Sequence, residues 1–480
     1  SARRFQRAAA EAPWPAELRL ASSALTGGYL HSAYFWLAVV GLGVTDALRN
    51  LQSRKAHLLM RSRESLDKLE DLRRLVKEEH LAYSEAAHSS VSRLARLSWR
   101  LYAKLEMRSP AALQAGADEL ARLQREHRWF REGVVKRVTI DRHQLFIMDR
   151  LMQLCAASYG YKTLHFLGLG TDDMVCNLTG ITELTGVARQ DVLCMEGKSQ
   201  LYRPGHLVCV DHATQRVVVA VRGTMRLQDI LTDFICDEVP FSVWFDGHPE
   251  VSGVVHEGFL RAAQTLALEL HDLVKAALEA HPGYSLACTG HSMGGAVASL
   301  LALTWAQVPA FRARGVHGYS FAAPCSMGYS LARSDLVKDH VTSIVVGDDL
   351  VSRLSLASLE SLLEACDLFA RSAHLSPAEK VASMERLRRK SSARRDRMFP
   401  GGVTYHIPER FRYDPDAIEV HLAEEVDPAL SLGEIMLTPK MMSSHLPSRY
   451  LNALRMQLLL QARDFLPADD SPPPPVHSAL

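Results

Sequence analysis

The chain has 480 residues, of which 47% are hydrophobic and 23% charged, and its formal net charge is +1. This composition is typical of a globular protein, and the length allows one large α/β domain and a further segment. The near-zero net charge gives no reason to predict nucleic acid as a partner. The eight cysteines are scattered without CxxC or metal-ligand spacing, so we interpret them as free thiols in a reducing, intracellular compartment and predict no metal site.

The N-terminal part, residues 1–48, is basic and contains a candidate membrane-associated segment. Residues 20–45 form a run of 26 residues without Asp, Glu, Lys or Arg, and about 20 apolar residues are enough to span a bilayer. Four glycines and several hydroxyl side chains lower the hydrophobicity of this run. A buried core helix or an interfacial hairpin is therefore the alternative to a membrane span, and we expect this region to be associated with a membrane.

Residues 49–133 are predicted to be helical, because they are rich in Leu, Ala, Arg, Lys and Glu. Leucines recur at helical spacing, most regularly at Leu94, Leu97, Leu101 and Leu105 and again at Leu113, Leu120 and Leu123. The heptads break too often for a long coiled coil, so we expect two or three antiparallel helices that pack on the following domain. Their basic faces suit either solvent or anionic lipid.

Residues 134–465 are predicted to form an α/β domain. Helices are expected at Asp141–Tyr159 and Gly258–Ala280, a hairpin at His206–Val210 and Arg216–Arg222, and buried strands at Val316–Phe321 and Val341–Val346. Strands that alternate with helices indicate a mostly parallel sheet with helices on both faces. A helical and basic insertion is expected at about 355–400, and the Pro-rich residues 466–480 are expected to be disordered.

The residues from Tyr284 to Trp305 carry the strongest functional signal. Leu286–Thr289 is typical of a strand, Gly290–Gly295 of a turn, and Ala296–Trp305 of a helix. Gly290 and Gly294 stand two residues before and after Ser292, the spacing of a nucleophile elbow. Glycines there leave room for a strained serine whose hydroxyl points out of the sheet. We therefore predict that Ser292 is a nucleophile rather than an incidental turn residue.

A serine nucleophile needs a base and an acid, and in folds with this elbow they follow it in the order acid, then histidine. The predicted strand Val341–Val346 is followed by Asp348 and Asp349, either of which suits the acid. The histidines after that point are His374, His406, His421 and His445. We favour His445, because it lies in a loop before a predicted helix and a loop offers exposure and reach. For the oxyanion, we predict donors at Met293, directly after the serine, and at Gly223–Thr224, after a strand.

Apolar side chains cluster near this site in segments predicted to be loops or short helices. They are Leu227, Ile230, Leu231, Phe234, Phe241, Trp244 and Phe245. Core packing explains each of them singly. Together they favour a lid and an acyl groove for a water-insoluble substrate.

Four motifs in combination resemble the class 3 (fungal-type) lipases. They are Val221-Arg222-Gly223-Thr224, His256-Glu257-Gly258-Phe259, Gly290-His291-Ser292-Met293-Gly294-Gly295 and Gly347-Asp348-Asp349-Leu350-Val351. The likeness is strongest to the sn-1-specific diacylglycerol lipases. That narrower likeness depends on Asp229–Asp233, on the inserted segment, and on the ending from Glu434 through His445 to Tyr450. It covers about residues 134–460.

The resemblance implies an α/β-hydrolase fold with Ser292, Asp349 and His445 as the catalytic triad and with Thr224 and Met293 at the oxyanion hole. Asp349 is the implied acid because the acid of the family directly precedes a Leu-Val or Ile-Val pair. The resemblance further implies that residues 225–235 belong to a lid. The implied activity is hydrolysis of a lipid acyl ester, the sn-1 ester of diacylglycerol, at a membrane or droplet surface. No cofactor is implied, and calcium, which some relatives use, has no EF-hand ligand set here.

Two departures and two alternatives accompany this resemblance. Ser444 stands before His445, where family members often carry Asp. Animal diacylglycerol lipases have four N-terminal membrane spans, whereas residues 20–45 are the single candidate here, so the anchoring is expected to differ. A phospholipase, galactolipase or triacylglycerol lipase would use the same triad. A catalytically silent scaffold, whose N-terminal region binds partners or membranes, is the alternative from a different class.

Overall fold

The computed structural model describes residues 110–126, 136–200, 202–224, 238–245, 249–392, 397–408 and 424–463. The candidate membrane segment at 20–45, most of the predicted helical region and the C-terminal tail therefore lie outside the described residues. Among the described ranges, no helix combines the length and the apolar character needed to cross a membrane.

Strands and helices alternate along most of the described chain. The strands are β1 (Lys136–Arg137), β2 (Val192–Glu196), β3 (His206–Asp211), β4 (Arg216–Val221), β5 (Glu238–Val243), β6 (Val251–His256), β7 (Ser285–His291), β8 (Val316–Phe321), β9 (Met327–Gly328), β10 (Val341–Val346), β11 (Met398–Phe399), β12 (Val403–Ile407) and β13 (Glu424–Glu425). The helices are α1 (Pro110–Glu126), α2 (Arg142–Ser158), α3 (Tyr161–Phe166), α4 (Asn177–Thr185), α5 (Glu257–Ala280), α6 (Met293–Ala306), α7 (Pro309–Arg312), α8 (Tyr329–Ala332), α9 (Asp335–His340), α10 (Leu356–Ala370), α11 (Pro377–Ser392), α12 (Pro428–Ser431) and α13 (Pro447–Arg463). Single 3₁₀ turns lie at Arg189–Asp191, Val351–Arg353, Ser372–His374 and Ser443–His445.

The main sheet has the order β1-β13-β12-β10-β8-β7-β4-β3-β2 in the described part of the chain. Its central strands β12, β10, β8, β7 and β4 run parallel to one another, and the outer strands on both sides are antiparallel. A second sheet has the order β11-β9-β6-β5. The mostly parallel sheet predicted from the alternation of strands and helices is confirmed, and the fold is that of an α/β-hydrolase.

The alternating side chains of β4 show why this sheet is covered on both faces. Val217, Val219 and Val221 pack in one core with α5 and α6. Val218 and Ala220 point the other way, into a core formed with α2 and α13. Because successive residues of a strand face opposite sides, a continuous apolar run such as this one needs helices on both faces.

The loop predicted for Phe241–Phe245 is wrong for Phe241–Val243, which lie in β5, whereas Trp244 and Phe245 follow the strand. Phe241 belongs to β5, where it pairs with Gly253 of β6 in an antiparallel ladder. Pro240 precedes Phe241, and proline is ordinarily a loop signal, but β5 is the edge strand of the second sheet, where a missing backbone N–H does not interrupt the ladder. Phe245 is buried beside Arg312, whereas Trp244 is 55% exposed at the end of the strand.

The insertion is helical over both of its halves, since α10 and α11 precede β11. Helix α1 packs on α10, and Leu120 and Leu123 of α1 are buried in a third core with Leu350 and Leu354. Leu120 and Leu123 of the leucine stripe seen in the sequence therefore face the insertion. That third core connects α1, the insertion and the residues that follow β10.

Candidate active site

Three strand ends meet at one edge of the main sheet. Strands β4, β7 and β10 end at Val221, His291 and Val346. Because they run parallel, their carboxyl ends lie at the same edge, where α/β proteins bind their ligands. Thr224, Ser292 and Asp349 follow these ends within three residues.

Ser292 forms the sharp turn between β7 and α6. Its backbone has φ 61° and ψ −135°, a conformation that costs a residue with a side chain about 1–3 kcal/mol. A Cβ atom on Gly290 would collide with the carbonyl oxygen of Gly294, and one on Gly294 would collide with that of Val221. The two glycines are therefore required by close backbone contacts, as the elbow motif predicts.

His445 lies between Ser292 and Asp349. Its Nε2 is 3.0 Å from Ser292 Oγ, and its Nδ1 is 3.1 Å from each carboxylate oxygen of Asp349. Since an ionised carboxylate only accepts hydrogen bonds, Nδ1–H donates to Asp349 and Nε2 is left to accept from the serine hydroxyl. Of the two candidate aspartates, Asp349 is the one that meets the histidine.

The environment of Asp349 keeps its carboxylate charged. Burial alone would raise the pKa of Asp349. Attraction to His445 when that ring is protonated, the His445 hydrogen bond, a hydrogen bond from Tyr450 and one from the Val351 N–H outweigh burial and hold that pKa below its ordinary value. The Tyr450 hydroxyl donates over 2.6 Å and the Val351 N–H over 2.8 Å. These donors satisfy an acceptor that would otherwise be costly to bury.

His291, the residue before Ser292, forms a hydrogen bond with the backbone of His445. Its Nε2 is 2.8 Å from the His445 carbonyl oxygen, and its Nδ1 is 3.0 Å from the Tyr159 hydroxyl. Burial, followed by the nearby charge of His445, lowers the pKa of His291 to about 3. The neutral ring therefore donates from Nε2 to the His445 carbonyl and accepts the Tyr159 hydroxyl at Nδ1.

Thr224 and Met293 lie next to each other beside the serine. Met293 is the first residue of α6, where a backbone N–H has no partner inside its own helix. The Thr224 hydroxyl is 3.4 Å from Met293 Sδ. A Cβ on the preceding Gly223 would collide with the Tyr159 hydroxyl and with the His291 carbonyl, so the end of β4 packs closely against the elbow.

Of the predicted lid and groove residues, Leu227, Ile230, Leu231 and Phe234 lie outside the described residues, and Trp244 is exposed directly after β5. Among the competing histidines, His406 is buried, with Nε2 2.8 Å from the Gly347 carbonyl oxygen. His374 lies in the insertion, and His421 is not described.

Ser444, which replaces the Asp frequent in the family, is fully buried, and its N–H donates to the Lys440 carbonyl.

The sequence did not reveal the supporting roles of Tyr159 and Tyr450. Both tyrosines sit in helical segments where an aromatic side chain is ordinarily a core residue. Tyr450 is only five residues after His445, and this proximity was the one available signal. Their hydroxyl contacts depend on how α2 and α13 pack on the sheet.

The fold and this geometry define an α/β-hydrolase with a Ser-His-Asp site. Residues 218–359 match the family model described as lipase (class 3). The chain is 32% identical over 194 residues to diacylglycerol lipase-beta of Mus musculus, a match that covers 40% of this chain and 28% of that protein. It is 29% identical over 178 residues to diacylglycerol lipase-alpha of Homo sapiens, covering 35% of this chain and 16% of that protein.

A similar solved structure is the native complex of Rhizomucor miehei lipase with its propeptide. It shows 19% identity and a TM-score of 0.40, with 65% of this chain and 81% of that chain covered. The chain therefore resembles the class 3 lipases over residues 218–359. The resemblance to that family and to its diacylglycerol lipases is confirmed.

Proposed function

We propose that this protein is a serine-dependent lipid acyl-ester hydrolase that releases a fatty acid from the sn-1 position of diacylglycerol. The observation that carries the proposal is the unbroken hydrogen-bond chain from Asp349 through His445 to the strained Ser292. The substrate class is supported by the names of the relatives, diacylglycerol lipase-beta and -alpha. A membrane or lipid droplet inside the cell is the proposed place of action.

In the proposed acylation step, Ser292 Oγ attacks the ester carbonyl while His445 Nε2 takes the hydroxyl proton. The ester C–O bond then breaks, His445 gives that proton to the departing glycerol oxygen, and the acyl group stays on Ser292. Ionised Asp349 holds the imidazole in the required tautomer and stabilises its positive charge. The Met293 N–H and Thr224 are the proposed donors to the oxyanion. Loss of one such donor typically costs about 2.7–4 kcal/mol of transition-state stabilisation.

In the proposed deacylation step, His445 activates a water molecule that attacks the acyl-serine ester. The fatty acid leaves, and the proton returns from His445 to Ser292 Oγ. Both steps use side chains, backbone N–H groups and water, so the mechanism requires neither a metal nor an organic cofactor. The apolar residues of the predicted lid are the proposed cover for the acyl chain.

The test is a lipid panel with wild type, Ser292→Ala and the control Ser285→Ala, which changes the same residue type at the other end of β7. The panel holds diacylglycerol with different acyl chains at its two positions, triacylglycerol, monoacylglycerol and phospholipid. We expect wild type and Ser285→Ala to release mainly the sn-1 acid of diacylglycerol. Ser292→Ala is expected to lose both hydrolysis and fluorophosphonate labelling.

Full-rate labelling of Ser292→Ala would show that the nucleophile is another residue. Faster release of fatty acid from phospholipid or triacylglycerol would support the same hydrolytic mechanism but would assign a different substrate. Folded wild-type protein that neither labels nor hydrolyses any lipid of the panel would favour the scaffold alternative.

A further inference from the structure

Tyr159 is a buried residue whose hydroxyl lies beside the turn that carries Ser292. It directly follows α2, and the residue is 8% exposed. Burial raises the pKa of its hydroxyl, so the phenol keeps its proton near neutral pH. A protonated phenol can donate one hydrogen bond and can also accept.

The Tyr159 hydroxyl donates to the ring of His291, the residue before Ser292. Its oxygen is 3.0 Å from His291 Nδ1 and 3.5 Å from the His291 carbonyl oxygen. The shorter distance is that of an ordinary hydrogen bond, and the longer one is at the limit. Burial lowers the pKa of His291 to about 3, so the neutral ring offers Nδ1 as the acceptor.

The two nitrogens of His291 face partners that require different roles. Nε2 lies 2.8 Å from the His445 carbonyl oxygen, which only accepts, so Nε2 must carry the proton of the neutral ring. Nδ1 then has a lone pair inside the protein, because His291 is 2% exposed. A buried acceptor without a donor is unfavourable, and the Tyr159 hydroxyl is the donor here. The hydroxyl therefore favours the ring orientation and tautomer in which Nε2 donates to His445.

A close backbone contact fixes the position of the Tyr159 oxygen. A Cβ on Gly223 would stand 2.3 Å from this oxygen, so the residue after Arg222 at the end of β4 lies directly against it. The oxygen is thus held between that strand end and the turn of the nucleophile. It cannot move far without displacing backbone atoms, and its hydrogen bond to His291 is therefore well defined.

The hydrogen bond from His291 Nε2 ends on the residue that supplies the proposed base. His445 closes the 3₁₀ turn Ser443–His445, just before α13 begins at Pro447. Its own Nε2 is 3.0 Å from Ser292 Oγ, within the range of about 2.6–3.2 Å that direct proton transfer needs. A shift of the His445 backbone would move its ring. The hydrogen bond to its carbonyl therefore helps to keep the ring within reach of the serine.

We propose that Tyr159 is a positioning residue for the base, acting on His445 through His291. The inference rests on the proposed hydrolase function, because it concerns the residue that takes the serine proton. It differs from the role of Tyr450, whose hydroxyl donates to Asp349. The two tyrosines act on different members of the triad.

The test removes the Tyr159 hydroxyl and measures hydrolysis of a short-chain ester. Tyr159→Phe keeps the ring and takes away the donor to His291 Nδ1. We expect kcat to fall about tenfold or more with KM within about twofold of wild type, because the geometry of proton transfer changes and the contacts with substrate do not. The rate of fluorophosphonate labelling should fall with kcat, since labelling also needs the base.

His291→Leu is the background that shows whether the hydroxyl acts through His291. Leucine has no nitrogen, so neither of the two hydrogen bonds can form in it. We expect Tyr159→Phe to change kcat by less than about twofold in this background, because a double-mutant cycle of residues that act together is non-additive. His291→Met is the second background, since a flexible methionine fills irregular gaps. In every variant kcat is counted per site that fluorophosphonate labels at completion, so unfolded molecules do not lower it.

Tyr319→Phe is the matched control. Tyr319 is 9% exposed on β8, and its hydroxyl interacts with Arg216 at the start of β4, the end of that strand away from Gly223. Its loss removes a buried hydroxyl outside the site, and kcat should stay close to that of wild type.

Wild-type kcat in Tyr159→Phe would overturn the proposal. So would an equal fall in kcat with His291 present and with His291 replaced, because the hydroxyl would then act independently of that ring. A higher KM with unchanged kcat would make Tyr159 a substrate-binding residue instead. Wild-type protein that neither labels nor hydrolyses the ester would refute the proposed function itself, whereas an active wild type beside an equally active Tyr159→Phe refutes this inference alone.

Discussion

Two histidines lie side by side at the site, with ring centroids 4.9 Å apart. Burial lowers the pKa of His291 to about 3, so this ring stays neutral when His445 takes a proton. A second positive charge at that distance would oppose the imidazolium that the proposed mechanism forms. His291 thus orients the backbone of His445 and stays neutral when His445 is protonated.

Tyr450 is a positioning residue for Asp349. Its hydroxyl donates to Asp349 Oδ2 and accepts the Val346 N–H over 3.2 Å. In Tyr450→Phe the carboxylate loses a charge-assisted hydrogen bond worth about 1.5–3 kcal/mol, and a buried N–H loses its acceptor. We expect kcat to fall about tenfold or more with little change in KM, because the aspartate that orients His445 is less constrained.

The matched control is Tyr405→Phe, which removes the hydroxyl of a half-buried tyrosine on β12. Steady-state kinetics on a short-chain ester, together with urea unfolding, separates the catalytic effect from the loss of stability. Wild-type kcat in Tyr450→Phe would contradict the positioning role.

Among the elements, the turn between β7 and α6 needs glycine at two positions, because neighbouring backbone atoms leave no room for a Cβ there. In Gly290→Ala the new methyl group meets the backbone of Gly294 and Gly295. Backbone atoms cannot move aside as a flexible side chain can. We expect the free energy of unfolding to fall by about 3 kcal/mol or more, the upper end for overpacked sites, and fluorophosphonate labelling to be lost.

Gly197→Ala is the control for this change. A Cβ at Gly197 would only touch the side-chain nitrogen of Asn177, at 3.8 Å. Denaturant unfolding of both variants should show a lower free energy of unfolding in Gly290→Ala only. Comparable stability and labelling of the two variants would mean that the elbow tolerates a side chain.

At the scale of the whole molecule, the third core connects parts of the chain that are far apart in sequence. It joins Leu120 and Leu123 of α1, the insertion, the residues after Asp349, and Met441, which precedes His445 by four residues. The Met441 carbonyl also accepts the Leu350 N–H over 3.1 Å. Helix α1 therefore stabilises the segments that carry the acid and the histidine, although it contributes no atom to the site.

Leu123→Ala tests this connection. The Leu123 side chain is 1% exposed, and large-to-small changes at such positions cost about 2–5 kcal/mol. We expect that loss in the free energy of unfolding, together with a lower rate of fluorophosphonate labelling at temperatures where the protein is still folded. Chemical unfolding and timed labelling measure the two effects.

Leu268→Ala is the control, because this leucine of α5 is 83% exposed and its truncation should change stability by less than about 0.5 kcal/mol. Equal stability losses in the two leucine variants would argue against a structural role for α1.

Features of the protein that depend on local spacing could be predicted from the sequence alone. The bounds of β8 and β10 match their predicted strands, and the Gly-x-Ser-x-Gly spacing was sufficient to predict a turn that the backbone of Ser292 adopts. Apolar periodicity and glycine conformation are properties of neighbouring residues, so both can be seen in the chain. The family resemblance then selected Asp349 over Asp348.

Features that depend on residues distant in sequence could be seen only in the folded chain. Phe241 was predicted in a loop but lies in β5. The strand can contain Pro240 because β5 lies at the edge of its sheet, and this position is not visible in the sequence. The contacts of Tyr159 with His291 and of Tyr450 with Asp349 span 132 and 101 residues. Such contacts exist only after packing brings the elements together, since no local preference encodes them.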